Sequence, residues 1–352
     1  MEPIECRGPA QAMGRQYGEA RATELARELD DFFTLMALFP ARADRARLTA
    51  SARRLLAPAT ACDPEAVDFV RGQAEGAGLP FEELFCLHCL LEVMFTTAAP
   101  MPPAAMCTSF ALTGPATRGG RTIAGQNVDW FTCCNADLLH LTREDGSRAL
   151  ALCLSGVPFY QLSSRGLCNC ANLTLGPVPA EPAVPIGIYL QRAMRQPTLD
   201  RALAVIRKAA SGLGAFFLAD ASGAVLGVES IPGRLEVLTP ENGVLVHANH
   251  YETEAFRPLD QGLAFMPDSP PRAARMRELV LARHGRITPE DMLEVLGDHH
   301  GGPHGICRHP HPDVPPAMAS ESRASFLALP AEGVMWVCAG PPCVGTFSEH
   351  AV

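Results

Sequence analysis

With 352 residues and 47% apolar content, the chain is long enough to fill a substantial core in one large domain or two modest ones. Its 38 acidic residues against 29 basic ones give a formal net charge of −9, which argues against a binder of phosphate backbones and for small-molecule chemistry. No charged, apolar, small-residue leader opens the chain and no apolar run approaches about 18 residues, so the expected setting is the cytoplasm, with no membrane or nucleic-acid partner.

Residues 9 to about 95 read as mostly helical. Glu19–Leu38 and Arg47–Leu56 carry apolar positions at helical spacing, and Asp63-Pro64 is a helix-start signature. Gly76 to Pro80 interrupts the pattern before Phe81–Phe95. The stretch Ala98 to Ala105, with three prolines, cannot extend a helix and reads as an irregular strap leading to Cys107.

From Cys107 the texture changes to short alternating runs. Thr108–Leu112 and Thr122–Val128, separated by Thr117-Arg118-Gly119-Gly120, predict a strand hairpin. Leu138–Leu141 and Ala149–Leu154 form the next pair around Asp145-Gly146, and Gly166–Leu175 is a further strand. Helices are expected at Ile186–Met194 and Leu199–Ala209, then strands at Gly214–Leu218, Val225–Ser230, Leu235–Leu238 and Val244–Ala248. Helices at Ala273–Arg283 and Pro289–Leu296 and strands at Ala324–Leu329 and Gly333–Cys338 close the chain. This order predicts an α+β fold of two antiparallel sheets with helices on their outer faces, a four-layer αββα arrangement, with a generic α+β fold as the competing reading.

Thirteen cysteines without an export signal are expected to be reduced, mostly as small buried hydrophobes. Cys86-Leu87-His88-Cys89 has metal-like spacing but lies in an apolar run, and alternation sends Cys168 and Cys170 to one strand face. The segment His299 to His311 is rich in His, yet its glycines, prolines and loose ligand spacing favour a polar loop near a site, so no metal is assigned. Within that loop Arg308 is a candidate clamp for a carboxylate. Phosphate-loop, HExxH and G-x-S-x-G patterns are absent, since Gly72, Gly76 and Gly78 lack the following Lys and Ser or Thr.

Five separated motifs stand in order: Met106-Cys107-Thr108-Ser109-Phe110, Gly125-Gln126-Asn127-Val128-Asp129-Trp130, Val246-His247-Ala248-Asn249-His250-Tyr251, Ile306-Cys307-Arg308-His309, and Glu321-Ser322-Arg323-Ala324-Ser325-Phe326. Together they resemble the peptidase C45 family of self-cleaving acyltransferases and amidohydrolases. The likeness runs from Gly14 and Gly18 to Cys343. It departs at Val128, where the family often has Trp, and at Ala248, where it usually has Thr.

The resemblance implies an N-terminal nucleophile hydrolase made as a precursor that cuts itself between Met106 and Cys107. The mostly helical segment 1–106 and the nucleophile-bearing segment 107–352 would stay associated in one domain. It further implies Cys107 as nucleophile, Asp129 as the group orienting the new terminus, and catalytic roles for Asn249 and Arg323. Asn127, Thr108, Ser109, Asn172, Arg308 and Ser322 are supporting or substrate-binding candidates. A freed α-amine titrates near 7.7 to 8.0, close enough to neutrality to accept the thiol proton. The expected reaction is cleavage or transfer of an acyl group from a small amide or thioester through a Cys107 thioester, with no cofactor and with acyl-CoA as a candidate substrate. Two alternatives stand beside it: acyl-CoA-dependent N-acylation of a small amine, and an uncut small-molecule binding protein.

Overall fold

A computed structural model describes residues 1–38, 44–97 and 107–352. Met106 and the strap before it lie outside the described residues. A short strand, β1 (Ile4–Arg7), precedes α1 (Ala10–Ala20), α2 (Ala22–Leu38), α3 (Arg45–Cys62), α4 (Pro64–Ala77), α5 (Phe81–His88) and α6 (Leu90–Thr97). Asp63 caps α4 by accepting the Ala66 N–H at 3.2 Å, and Gly78 ends it at φ +67°. The predicted helix Phe81–Phe95 is two helices broken at Cys89.

Gly14 and Gly72 find their purpose in packing. A Cβ at Gly14 would sit 1.9 Å from the Phe69 carbonyl oxygen, and one at Gly72 would sit 1.9 Å from that of Gln11. Only glycine lets α1 and α4 meet backbone to backbone. The pair then covers β1 and its neighbours through Met13, Tyr17 and Phe69.

The second segment contains β2 (Thr108–Leu112), β3 (Ile123–Phe131), β4 (Ala136–Thr142), β5 (Arg148–Leu154), β6 (Val157–Ser163) and β7 (Cys168–Leu173). Then come α7 (Ile186–Met194), α8 (Leu199–Ala209), β8 (Gly214–Ala219), β9 (Val225–Ile231), β10 (Arg234–Leu238) and β11 (Val244–His247). The last elements are α9 (Ser269–Leu281), α10 (Pro289–Leu296), β12 (Ser320–Leu329), β13 (Val334–Ala339) and β14 (Ser348–Ala351). Most of these match the periodicity reading. Three strands do not: β1, β14, and β6, whose Pro158 disguises it and is accommodated where the pairing with β5 shifts register.

One sheet runs β1-β4-β5-β6-β7-β8-β9-β10 and the other β11-β2-β3-β12-β13-β14. All pairings are antiparallel except β1 with β4. The sheets face each other where β2 and β3 meet β7 and β8, with Ala111, Ala124, Val128, Phe326 and Cys170 in the shared core. Helices α9 and α10 cover the outside of the smaller sheet through Met276, Met292 and Leu296, and the amino-terminal helices with α7 and α8 cover the larger one. The predicted αββα layering is therefore the observed one. Cys168 and Cys170 are both buried, as alternation predicts.

Buried polar bonds cross between residues 1–97 and the rest. Tyr17 donates to Asp137 at 2.8 Å, Gln73 to the Gly156 carbonyl at 3.2 Å, and the Asn135 N–H donates to Glu28 at 3.0 Å. Burial, and then the neighbouring Asp137 charge, push the Glu28 carboxyl up to about 8. The fold thus holds a proton that the unfolded chain releases near 4.5, so the stability tied to this proton is full below that value and is lost as pH rises through about 8. Glu28→Gln should flatten this decline. Melting curves at about pH 5 and about pH 8 check it, and an unchanged pH slope would refute it.

Candidate active site

Cys107 stands one residue before β2, whose first pair with β3 is Thr108 to Asn127. Its side chain is 6% exposed and points between the sheets, with Sγ 3.8 Å from the Tyr160 hydroxyl. Cys107 helps line a pocket formed mainly by apolar side chains, among them Leu90, Trp130, Phe159, Leu173 and Phe216. Burial and then Asp129 push the Cys107 thiol up to about 12, against the Asp129 N–H, the Tyr160 hydroxyl and Arg272, which favour the thiolate.

The backbone of Cys107 is held from two sides. Asn172 Nδ2 donates to its carbonyl oxygen at 3.0 Å and Arg272 at 2.9 Å. Arg272, 2% exposed, also donates to Thr108 Oγ1 at 2.6 Å, to Asn249 Oδ1 at 3.0 Å and to Asp268 at 2.7 Å. One guanidinium fork therefore ties the Cys107 segment, the Asn249 segment and the start of α9 together. Asp268 also receives Arg308. Burial raises the Asp268 carboxyl, but the two guanidinium groups outweigh it and the net shift is downward.

Asp129 is fully buried on β3. Its Oδ1 accepts from Ser322 Oγ at 2.6 Å, while Oδ2 faces Arg308 Nε at 3.9 Å, and neither of these last two atoms has a hydrogen-bond partner. Burial raises the Asp129 carboxyl to about 6, although Arg308, Arg272 and Ser322 all pull it down. Ser322 Oγ in turn accepts the Arg308 N–H at 3.0 Å. The result is a buried chain of alternating charge: Arg272, Asp268, Arg308, Asp129.

The structure brings together Cys107, Thr108, Asp129, Asn172, Asn249, Arg308 and Ser322, but not Arg323. Pairing of β12 with β3 shifts register between Ser322 and Ala324, which leaves Arg323 as the extra residue of a bulge. Its guanidinium turns away to the Cys134 carbonyl, 2.7 Å distant, and to Glu321. Arg308 takes the place beside Asp129. Asn127 acts as a brace, donating at 2.8 Å to both the Leu296 and Ile306 carbonyls and accepting from Ser325. Ser109 donates to Asn172 Oδ1 at 2.6 Å and so sets that amide's orientation. Asn249 uses its own amide on the Leu173 carbonyl at 2.9 Å.

Sequence reasoning misses Tyr160, Asp268 and Arg272. Tyr160 lies on β6, the strand masked by Pro158, and Asp268-Ser269-Pro270-Pro271 is a helix-start signature that places Arg272 in the first turn of α9. In the Cys86 to Cys89 segment, His88 Nε2 is bonded to Gln73 Oε1 at 2.8 Å and the cysteines are packed in the helical layer.

Among the described residues, no helix is long and apolar enough to cross a membrane. No curated protein matches the chain. Among solved structures it is similar to a mutant conjugated bile acid hydrolase from Clostridium perfringens, at 10% identity and TM-score 0.45 over 70% of this chain and 97% of that one. It is also similar to penicillin V acylase from Agrobacterium tumefaciens, at 17% identity and TM-score 0.43 over 66% and 83%. The family model described as acyl-coenzyme A:6-aminopenicillanic acid acyl-transferase matches residues 117–342. With a match over most of its length, the chain belongs to this acyl-transferase family, on an αββα fold.

Proposed function

We propose that the protein is a self-processing acylase or acyltransferase that carries an apolar acyl group on Cys107. The observation that carries this reading is Cys107 in the lining of an apolar pocket, with the buried Asp129 close enough to act on its thiol. A thiol pushed up to about 12 stays protonated at neutral pH, so a nucleophile here needs a base at hand. Cleavage before Cys107 supplies one, its own α-amine. The orphaned Oδ2 of Asp129 is an acceptor suited to hold the resulting ammonium.

In the proposed cycle the amine takes the thiol proton and sulfur attacks the acyl carbonyl. The departing amine or thiol recovers that proton, leaving a thioester, which water or an acceptor amine opens. Asn249, which spends one amide N–H on the Leu173 carbonyl and is held by Arg272, is the proposed donor to the transient oxyanion through its second N–H, a contribution of roughly 3 to 4 kcal/mol. Buried bonds and shared core support continued association of fragments 1–106 and 107–352 after cleavage. The cysteines, none of them paired, are consistent with the reducing cytoplasm.

The test is to incubate purified full-length protein with amide and CoA-thioester donors of acetyl, aliphatic and aromatic acyl groups, with and without small amines, and to measure intact masses. Expected are the two fragments, an acyl adduct on the peptide beginning at Cys107, and preference for the larger apolar acyl groups. Turnover by an uncut chain, or an adduct mapping elsewhere, would sink the proposal. Acylation by thioesters alone would favour amine N-acylation over amide hydrolysis.

A further inference from the structure

The residues flanking Arg308 carry chemistry that the acyl-transfer site does not use. His299, Cys307, His309 and Cys343 direct their ligating atoms to a common point, all within 4.8 Å of one another. His299 Nε2 is 3.1 Å from His309 Nε2, which is itself 3.6 Å from Cys307 Sγ and 3.4 Å from Cys343 Sγ. A ring nitrogen offers either one hydrogen or one lone pair, so hydrogen bonding cannot satisfy three partners converging on it. A central ion can. A tetrahedral zinc ion with bonds of about 2.0 to 2.1 Å to nitrogen and about 2.3 Å to sulfur has edges of about 3.3 Å between nitrogens and about 3.6 Å between nitrogen and sulfur. The three distances from His309 fall within a few tenths of an ångström of those edges, and the remaining pairs lie within 4.8 Å.

We propose that these four residues form a Cys2His2 zinc site. Two thiolates and two neutral imidazoles balance the charge of a divalent ion, and binding releases the two thiol protons to solvent. The protein fills all four positions, so the site is structural. His299 and Cys343 are exposed and give the ion an entry path, while Cys307 is buried. The loose spacing within residues 299–311 is closed by folding, and the fourth ligand arrives on the turn where Val344 and Gly345 N–H groups donate to the Pro341 carbonyl. Zinc would pin both segments together. Arg308 lies between two of the ligands, so the ion would also fix the backbone that delivers this guanidinium to Asp268 and Asp129.

The test uses the full chain in reducing buffer, stripped with a chelator and titrated with Zn²⁺, and with Co²⁺ as a spectroscopic probe. Expected are one zinc per chain retained through dialysis, a rise in Tm on zinc addition, and the intense visible bands of tetrahedral cobalt with thiolate charge transfer. His299→Ala and Cys343→Ser alter exposed side chains. Each should keep the far-ultraviolet circular dichroism of the parent and lose the retained zinc, the Tm response and the tetrahedral cobalt spectrum. Octahedral cobalt, sub-stoichiometric zinc in the parent, or undiminished retention by either variant overturns the proposal. A Cys307–Cys343 disulfide in freshly isolated protein that, once reduced, binds no zinc does so too.

Discussion

Cys107→Ala should remain a single chain of 352 residues and lose acyl transfer by on the order of 10⁴-fold or more in kcat/KM. The substitution removes one sulfur from an apolar environment and should cost about 1 kcal/mol of stability, so loss of folding does not confuse the result. Cys107→Ser separates the two roles of the residue. A hydroxyl is a weaker nucleophile than a thiol, and in the proposed chemistry it should cut slowly or not at all while binding acyl donors normally. Intact mass, followed over days, reads the processing, and donor turnover reads the catalysis. Appearance of a fragment beginning at residue 107 in the Ala variant would show that another nucleophile cuts the chain.

Arg272→Met should have the next largest effect. The guanidinium reaches the carbonyl of Cys107, Thr108 Oγ1, Asn249 Oδ1 and Asp268, and its loss removes a donor from each of these four acceptors. Removing one partner of a buried ion pair costs about 3 to 5 kcal/mol, which would show as a lower urea midpoint. Arg272 is a positioning residue, so stability alone does not test its role. Arg272→Lys keeps a cation for Asp268 but cannot span Cys107, Thr108 and Asn249 at once. The Lys variant should therefore recover much of the stability while kcat stays low and KM changes little. If kcat returns in step with stability, Arg272 only holds the fold together.

Much of the site was legible because strands place residues by alternation and pairing. Cys107 immediately precedes one strand of a readable hairpin and Asp129 lies on the other, and the Ser322 motif supplies Asp129 with its hydrogen bond from the strand on the far side. The arginine was not legible in the same way. Register arithmetic along β12 cannot reveal a bulge, and a one-residue bulge sends Arg323 out of the cluster. Arg308, noted only as a possible clamp, comes from a loop with no periodicity to place it. Tyr160 was hidden for a related reason, since a proline within an apolar run argues against a strand unless pairing can shift around it.

The layer order and the acyl-transfer family can be read from the chain alone, and the motifs single out Cys107 as a candidate, because hydrophobic period and turn chemistry are local properties and the motifs are contiguous. Packing alone sets which arginines surround Asp129, that glycines let α1 and α4 touch, and that Cys343 meets His299, Cys307 and His309 from the His-rich loop. Those are contacts between residues far apart along the chain. They depend on a bulge, a helix crossing and a loop closure, and such geometry exists only once the chain has packed.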